Sequence, residues 1–379
     1  MKDKFKLLIY APIRWLNAEC AYILTLLPKL KEQGLEIVLM GSRGNPILAR
    51  AKKLGVRIKD DFNLLSLNPF YLAKILPRLK KWLAEEEFDL ISIHRSEGFF
   101  LLHRLAKKIN PRPALVRVRQ DMRPARTDPI NKATYQECDL ILVSNQLLAE
   151  DLKARLNLPS EKVKVVYLGI EPSKFVPEKS APELRKELGI SPEARLVGIS
   201  ARLAPVKGHK YFLQSARIIS EKMPEVRFLV SYRHIEPESD FLNQLAHSSI
   251  KDKFLLWGEN HRYIDLLSLC EVGVLSSVGS EASSRACLEW MALKKPVVAT
   301  RVGVLPELVV PAETGYLVLP RDSQGMAEAI LKLLRNPERA REMGERGYQR
   351  LLENFTEKQM VEQTIRYFHQ AVEKVRGGL

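Results

Sequence analysis

LSSVGSEASSRACLEWMALKKPVVATRVGVLPELVVPAETGYLVLP, residues 275–320, joins two carboxylates, a helix start and two short strands in one unit. Just ahead of it and overlapping its first residue, Val272-Gly-Val-Leu275 reads as a buried strand. Ser276 to Ser280 is a loop of small residues, which lets the chain approach a ligand closely. Ala286, Leu288, Trp290, Met291 and Ala292 suit a helix, and Lys294-Lys295-Pro296 ends it, because cations favour a helix C-terminus and proline blocks continuation. Val297 to Thr300 is the next strand. Strand, loop, helix, strand with continuous apolar runs is the repeat of a parallel sheet, so the loop 276–284 lies at the carboxyl end of a strand and the helix N-terminus points at it.

Such a place suits an anion: free N–H groups around Ser283, Ser284 and Arg285 can donate to phosphate oxygens, and the helix dipole adds to the attraction. Glu281 precedes the first turn, and Glu289 follows eight residues later on nearly the same face. That separation is roughly 10–12 Å, comparable to the span from a sugar across a diphosphate to a ribose. On spacing alone, a Glu281 that complements the dipole and a solvated Glu289 explain the pair better than a ligand does.

The ordered series changes that balance. Glu281, seven residues, Glu289, then Met291-Ala292, Pro296-Val-Val-Ala-Thr300, Gly303, Pro306-Glu307 and Thr314-Gly315-Tyr-Leu-Val318 resemble the donor-site signature of retaining GT-B glycosyltransferases, glycosyltransferase family 4. The resemblance implies an α/β fold of two doubly wound, Rossmann-like domains facing a cleft: an acceptor domain over 1–171 and a nucleotide-sugar donor domain over 172–356, with the last helix, 357–379, packing back on the first. The span Pro172 to Pro182, with several prolines and charges, suits the connection between them.

Other positions fall into place beside the same family. Arg202, four residues, then Lys207-Gly208 resembles the family's diphosphate motif, and two cations there would stabilise a leaving nucleoside diphosphate without a metal. The resemblance gives Glu281 the donor sugar hydroxyls and Glu289 the ribose. Gly258-Glu259-Asn260 takes the nucleobase side, where backbone contacts dominate, so the donor is UDP-, GDP- or ADP-linked. His94, at the carboxyl end of the strand Phe88 to His94, looks like the family histidine near sugar or acceptor, although a lone histidine in a loop is more often structural. The family places two glycines before its first helix; here that loop reads Leu16-Asn17-Ala18-Glu19, leaving Arg14 and Asn17 as the polar groups on the acceptor side. Retention would follow from attack on the face the phosphate leaves. No cofactor is expected, and no metal: Asp60-Asp61 is the nearest acidic pair and sits in a plain loop.

Residues 1–170 carry 30 Lys and Arg against 18 Asp and Glu, a net +12, whereas the remaining 209 carry 30 against 27, a net +3. The basic half suits an anionic partner, such as membrane lipid or a phosphorylated acceptor, and it equally describes a merely soluble or thermostable surface. Within it Arg117, Arg119, Arg123 and Arg126 crowd near one strand end, a pattern that fits an acceptor with phosphate or carboxylate groups, as on a lipopolysaccharide core or another lipid-linked or cell-envelope glycan. The helix 71–87 carries Leu72, Ile75, Leu76, Leu79 and Leu83 on one face and Lys74, Arg78, Lys80 and Lys81 elsewhere. That describes a helix packed on a sheet first and one lying on an anionic membrane second, and Pro77 predicts a kink or two pieces.

Cys20, Cys138, Cys270 and Cys287 are scattered, as reduced thiols are, and form neither a disulfide framework nor a zinc site. Absence of an apolar run near 18–20 residues and of a leader-like start places the expected protein in the cytoplasm, with a peripheral contact on the inner membrane face. Three rivals stay open. A same-fold epimerase or phosphorylase would also bind sugar and phosphate, and a non-catalytic membrane-associated module would bind donor without transfer. A nucleic-acid binder lacks the interleaved aromatics that single strands need.

Overall fold

The computed structural model describes residues 5–14, 18–66, 68–232, 235–258 and 262–377. They group into two compact units, 1–168 with 357–379, and 169–356.

The first unit alternates β1 (Lys6–Tyr10), α1 (Ala18–Glu32), β2 (Glu36–Met40), α2 (Pro46–Lys53), β3 (Arg57–Lys59), α3 (Pro69–Glu86), β4 (Leu90–Ile93), α4 (Phe99–Ala106), β5 (Ala114–Arg119), α5 (Pro129–Gln136), β6 (Leu140–Val143), α6 (Gln146–Leu156) and β7 (Val163–Val165). Its sheet is parallel throughout, in the order β3-β2-β1-β4-β5-β6-β7. Strands covered on both faces have no polar side to show, which is why Leu7 to Tyr10, Leu90 to Ile93 and Val116 to Val118 are buried without alternation. One core joins this sheet to α3, α4, α5 and α6 on a single face.

The second unit runs through α7 (Ala181–Glu187), β8 (Arg195–Ser200), α8 (His209–Lys222), β9 (Val226–Ser231), α9 (Phe241–Ala246), β10 (Phe254–Trp257), α10 (Tyr263–Ser268), β11 (Val272–Leu275), α11 (Arg285–Ala292), β12 (Val297–Thr300), α12 (Leu305–Leu308), β13 (Gly315–Val318), α13 (Ser323–Arg335) and α14 (Pro337–Asn354). Its parallel order is β10-β9-β8-β11-β12-β13, the doubly wound arrangement. Helix α11 lies close on this sheet because two of the strands beneath it offer glycine. A Cβ at Gly273 would stand 2.3 Å from the Trp290 ring, and one at Gly198 would stand 2.7 Å from it. Trp290 fills that space completely.

The last helix, α15 (Glu357–Arg376), rejoins the first unit. Met360, Val361, Thr364, Ile365, Phe368, Ala371 and Val372 make its buried stripe at helical spacing, the Tyr22 hydroxyl and Thr364 Oγ1 lie 2.9 Å apart, and Arg376 pairs with Asp89. Helix α3 is one helix through Pro77 rather than two shorter pieces. Ala73, whose carbonyl loses its partner there, and Pro77 are both exposed, so water can satisfy that group.

Candidate functional site

In an open parallel sheet the crevice for a ligand opens at the carboxyl ends of the two strands where the order reverses. In the second unit those are β8 and β11. After β8 the chain makes a tight 3-10 turn, Pro205–Lys207, and Gly208 then takes φ 70° to start α8. Only glycine fits there: a Cβ would meet the main-chain oxygen of Ser276, in the loop after β11, at 1.9 Å. The two loops are stitched together. Ser276 Oγ donates to Lys207 O at 2.9 Å, the Val278 N–H donates to Val206 O at 2.9 Å, and the Lys207 ammonium pairs with Glu281, which also accepts from Ser277 Oγ.

Glu281 is 5% exposed, with the Lys207 ammonium as its counter-charge. Its backbone is held from the far side, where the Val304 N–H donates to Glu281 O at 2.8 Å and Gly303 adopts φ 54°. Eight residues on, Glu289 is 6% exposed inside α11. Its Oε1 accepts from Arg285 Nε at 2.8 Å and from the Tyr263 hydroxyl at 3.4 Å. Ser284, the residue before α11, sits at φ 38° and ψ 63°, and its buried Oγ has no hydrogen-bond partner among the described residues. An ammonium, two enclosed carboxylates and an unsatisfied hydroxyl around a strand-end crevice can bind a group that is anionic at one part and rich in hydroxyls at another.

Several positions named from the sequence behave differently from a simple cation ring. Arg202 is half exposed and pairs with Glu236 rather than with either carboxylate of the loop. Arg285 uses its guanidinium, and not only its N–H, by pairing with Glu289. Ser283 is buried in the same loop. Gly258 follows β10, with Tyr232 ring atoms 3.2 Å from where its Cβ would be, and Glu259 and Asn260 lie outside the described residues.

The first unit has its own cluster where its strand order reverses. His94 follows β4 and is 2% exposed; Ser92 Oγ lies 3.1 Å from its Nε2, and its Nδ1 has no partner among the described residues. Burial first, and then the Arg117 charge, push His94 down to about 3, so it is neutral at physiological pH. Glu19 in the first turn of α1 is 6% exposed and meets Arg95 at 3.3 Å. Burial raises its carboxyl to about 7 despite Arg95 and Arg117. The four arginines expected to crowd together are divided. Arg117 and Arg119 are inside β5 and buried, with Arg117 donating to Ile93 O at 2.8 Å and Arg119 donating to Arg123 O. Arg123 and Arg126 are exposed, Arg14 is exposed after β1, and Asn17 lies outside the described residues. Glu19, Arg95, Tyr263 and Ser277 are site neighbours that the sequence reading did not single out. Glu19 alone carried a signal, as the acid kept at the start of α1.

Buried neutral histidines make stability pH-dependent. His209 in the second unit is lowered to about 3, first by burial and then by Lys207. The unfolded chain takes up that proton near the ordinary 6.5, so the contribution is complete above 6.5 and is lost as pH falls toward 3. In the first unit His94 and His103, the latter lowered to about 4, act in the same direction. Glu19 opposes them: its raised value gives stability that is full below 4.5 and is lost as pH rises through 7. Urea unfolding at pH 7 and pH 5 is expected to show about 2 kcal/mol lost from the second unit on acidification, a loss that His209→Leu removes.

Among the described residues no group of three His, Cys, Asp or Glu is placed to hold a metal, and no helix is long and apolar enough to cross a membrane.

Residues 21–174 match the family model Glycosyltransferase Family 4, and residues 180–350 match the model Glycosyl transferases group 1. The chain belongs to glycosyltransferase family 4. The fold agrees: this GT-B enzyme superposes on a glycosyltransferase from Rickettsia africae ESF-5 with TM-score 0.86 and 16% identity, over 98% of this chain and 99% of that one. Against Anabaena Alr3699/HepE in complex with UDP the TM-score is 0.83 at 17% identity, over 96% and 100%. In sequence the glycosyltransferase is 26% identical to the N-acetyl-alpha-D-glucosaminyl L-malate synthase of Bacillus anthracis over 320 residues, 81% of this chain and 82% of that one. It is 28% identical to the lipopolysaccharide core biosynthesis mannosyltransferase LpsB of Rhizobium meliloti over 208 residues, 53% of this chain and 58% of the relative.

Proposed function

We propose that this glycosyltransferase transfers a sugar, with retention and without a metal, from a nucleotide-sugar donor bound on the second unit to an anionic acceptor bound on the first. The observation that carries the reading is the Lys207 and Glu281 pair held between the β8 and β11 loops. A solved neighbour of the same fold binds UDP, which supports a nucleoside diphosphate at the corresponding crevice.

In this scheme Lys207 turns toward the diphosphate and Glu281 toward donor sugar hydroxyls, each exchanging its present partner for substrate. Arg202 joins by leaving Glu236, a step that is cheap because a half-exposed pair is worth about 0–1 kcal/mol. Glu289 has both of its described bonds on Oε1, which leaves Oε2 to accept from ribose hydroxyls. The helix start at 283–285, with the unsatisfied Ser284 hydroxyl, meets phosphate oxygens. The acceptor hydroxyl then attacks the anomeric carbon on the face from which the diphosphate departs. The new C–O bond forms as the sugar–phosphate bond breaks, and a phosphate oxygen takes the hydroxyl proton. His94, neutral and enclosed, contributes hydrogen bonding and shape rather than charge.

The relatives bear on the acceptor: one is named for L-malate and one for a lipopolysaccharide core, both anionic. Near the carboxyl ends of the first unit's strands Arg14, Arg123 and Arg126 are exposed, and Arg95, paired with Glu19 and Glu97, is partly so; these guanidiniums could meet such a group.

A thermal-shift series with UDP-, GDP- and ADP-sugars, with and without magnesium chelation, tests the donor half. One nucleotide class is expected to raise the melting temperature of the wild type, with Glu289→Ala reducing the shift and chelation leaving it unchanged. No shift with any class overturns the donor assignment. Transfer to lipid-linked and lipopolysaccharide-core acceptors, with the product anomer read by NMR, tests the acceptor and the stereochemistry.

A further inference from the structure

Helices α3, α4, α5 and α6 lie side by side on one face of the first sheet, α3 against α4, α4 against α5, α5 against α6. Each starts where the chain leaves a strand's carboxyl end, so their first turns share one edge. The second residue of every one of the four is a large apolar side chain turned to solvent: Phe70 at 84% exposure, Phe100 at 42%, Ile130 at 59% and Leu147 at 52%. Core packing does not explain them, since each helix buries a different set of residues behind. A single exposed apolar residue is ordinary; a row at the same helical position in four adjacent helices is a surface.

The charge on that edge selects the partner. Lys74, Arg126 and Lys132 have no carboxylate within ion-pair distance among the described residues, and the excess of +12 over residues 1–170 lies in this unit. The neighbouring acids are engaged: Asp121 with Arg119 and Arg123, Glu97 with Arg95, Glu150 with Lys153, and Asp128 as the cap of α5. Four helix N-termini add partial positive charge at the same place.

We propose that this edge docks on the surface of an anionic lipid bilayer, with Phe70, Phe100, Ile130 and Leu147 entering the headgroup boundary and Lys74, Arg126 and Lys132 meeting lipid phosphates. Apolar anchors interleaved with unpaired cations are what an interfacial site requires, since neither the hydrophobic nor the electrostatic part alone holds a protein there. A second protein copy would fill the apolar row but would bring the same cations against themselves.

The test is flotation of the full chain with phosphatidylglycerol-containing vesicles and with pure phosphatidylcholine vesicles, without donor or acceptor present. Binding is thus read separately from transfer, and its failure would leave the proposed activity standing. Wild type is expected to float with the anionic vesicles only. Phe70→Ser, Phe100→Ser, Ile130→Ser and Leu147→Ser combined are expected to lower the partition coefficient by roughly a hundredfold. Gln at Lys74, Arg126 and Lys132 is expected to remove its salt dependence. Leu319→Ser with Leu352→Ser, exposed apolar positions of the second unit, is expected to float as wild type does. Should the four-serine variant melt early, the two halves, Phe70/Phe100 and Ile130/Leu147, are measured separately. Wild type left unbound, equal binding to both vesicle types, serine variants that float undiminished, or a wild-type dimer that the serine changes dissociate would each overturn the proposal.

Discussion

Lys207→Ala is expected to lose about a thousandfold in turnover while the chain stays folded. The departing diphosphate gains charge as the sugar–phosphate bond stretches, and among the described cations near the β8 and β11 ends Lys207 is the one paired with Glu281. The substitution has a second effect that must be separated from the first. Glu281 is almost fully enclosed, so removing its counter-charge leaves a buried carboxylate unpaired, at about 3 kcal/mol of stability for a pair that keeps some solvent access. Glu281→Gln added to Lys207→Met neutralises the stranded charge. The double variant is expected to melt close to wild type and remain inactive. If Lys207→Ala turns over at near-normal rates, the diphosphate is not bound there and the donor assignment is lost with it. Recovery of stability together with activity in the double variant would mean that the single change had acted through folding alone.

Gly303→Ala is expected to destabilise the second unit by about 3 kcal/mol and to abolish the nucleotide-dependent thermal shift. The position is at φ 54°, and an added Cβ would stand 2.0 Å from the main-chain oxygen of Glu281. That oxygen accepts from the Val304 N–H, so it cannot move away without breaking a bond that fixes the carboxylate loop. Backbone conformation and collision are distinguished by Gly44→Ala. Gly44 has φ 81° but nothing within 4 Å of the added carbon, so this change carries only the left-handed penalty, about 1 kcal/mol. Equal losses in the two variants, measured by urea unfolding, would show that Glu281 is not held through Gly303.

The strands that form the second sheet were legible because a parallel sheet covered on both faces is written as short continuous apolar runs. Val272 to Leu275 and Val297 to Thr300 are strands from first residue to last. Helix α15 was legible for the complementary reason, a single apolar stripe at helical spacing. What the sequence could not display is where long polar side chains turn. Arg117 and Arg119 read as a cationic cluster at a strand end, yet in β5 there is no solvent face for them; they turn to main-chain carbonyls and, for Arg119, to Asp121, and the Nε of each has no partner among the described residues. Arg202 likewise reads as part of a clamp and is paired with Glu236, 34 residues away along the chain and in a loop that no motif marks. The stitching of Ser276 and Val278 to the turn at 205–207 was illegible because a hydrogen bond to a carbonyl leaves no requirement on residue type at the accepting end.

Helix α15 completes the first unit with residues synthesised after the whole of the second. A ribosome therefore releases residues 169–356 as a self-contained body while the partner to Tyr22 and Asp89 is still to come. Until then the surface of α1, β4 and β5 that α15 will cover stays bare, and the earliest-made half of the enzyme is the last to mature.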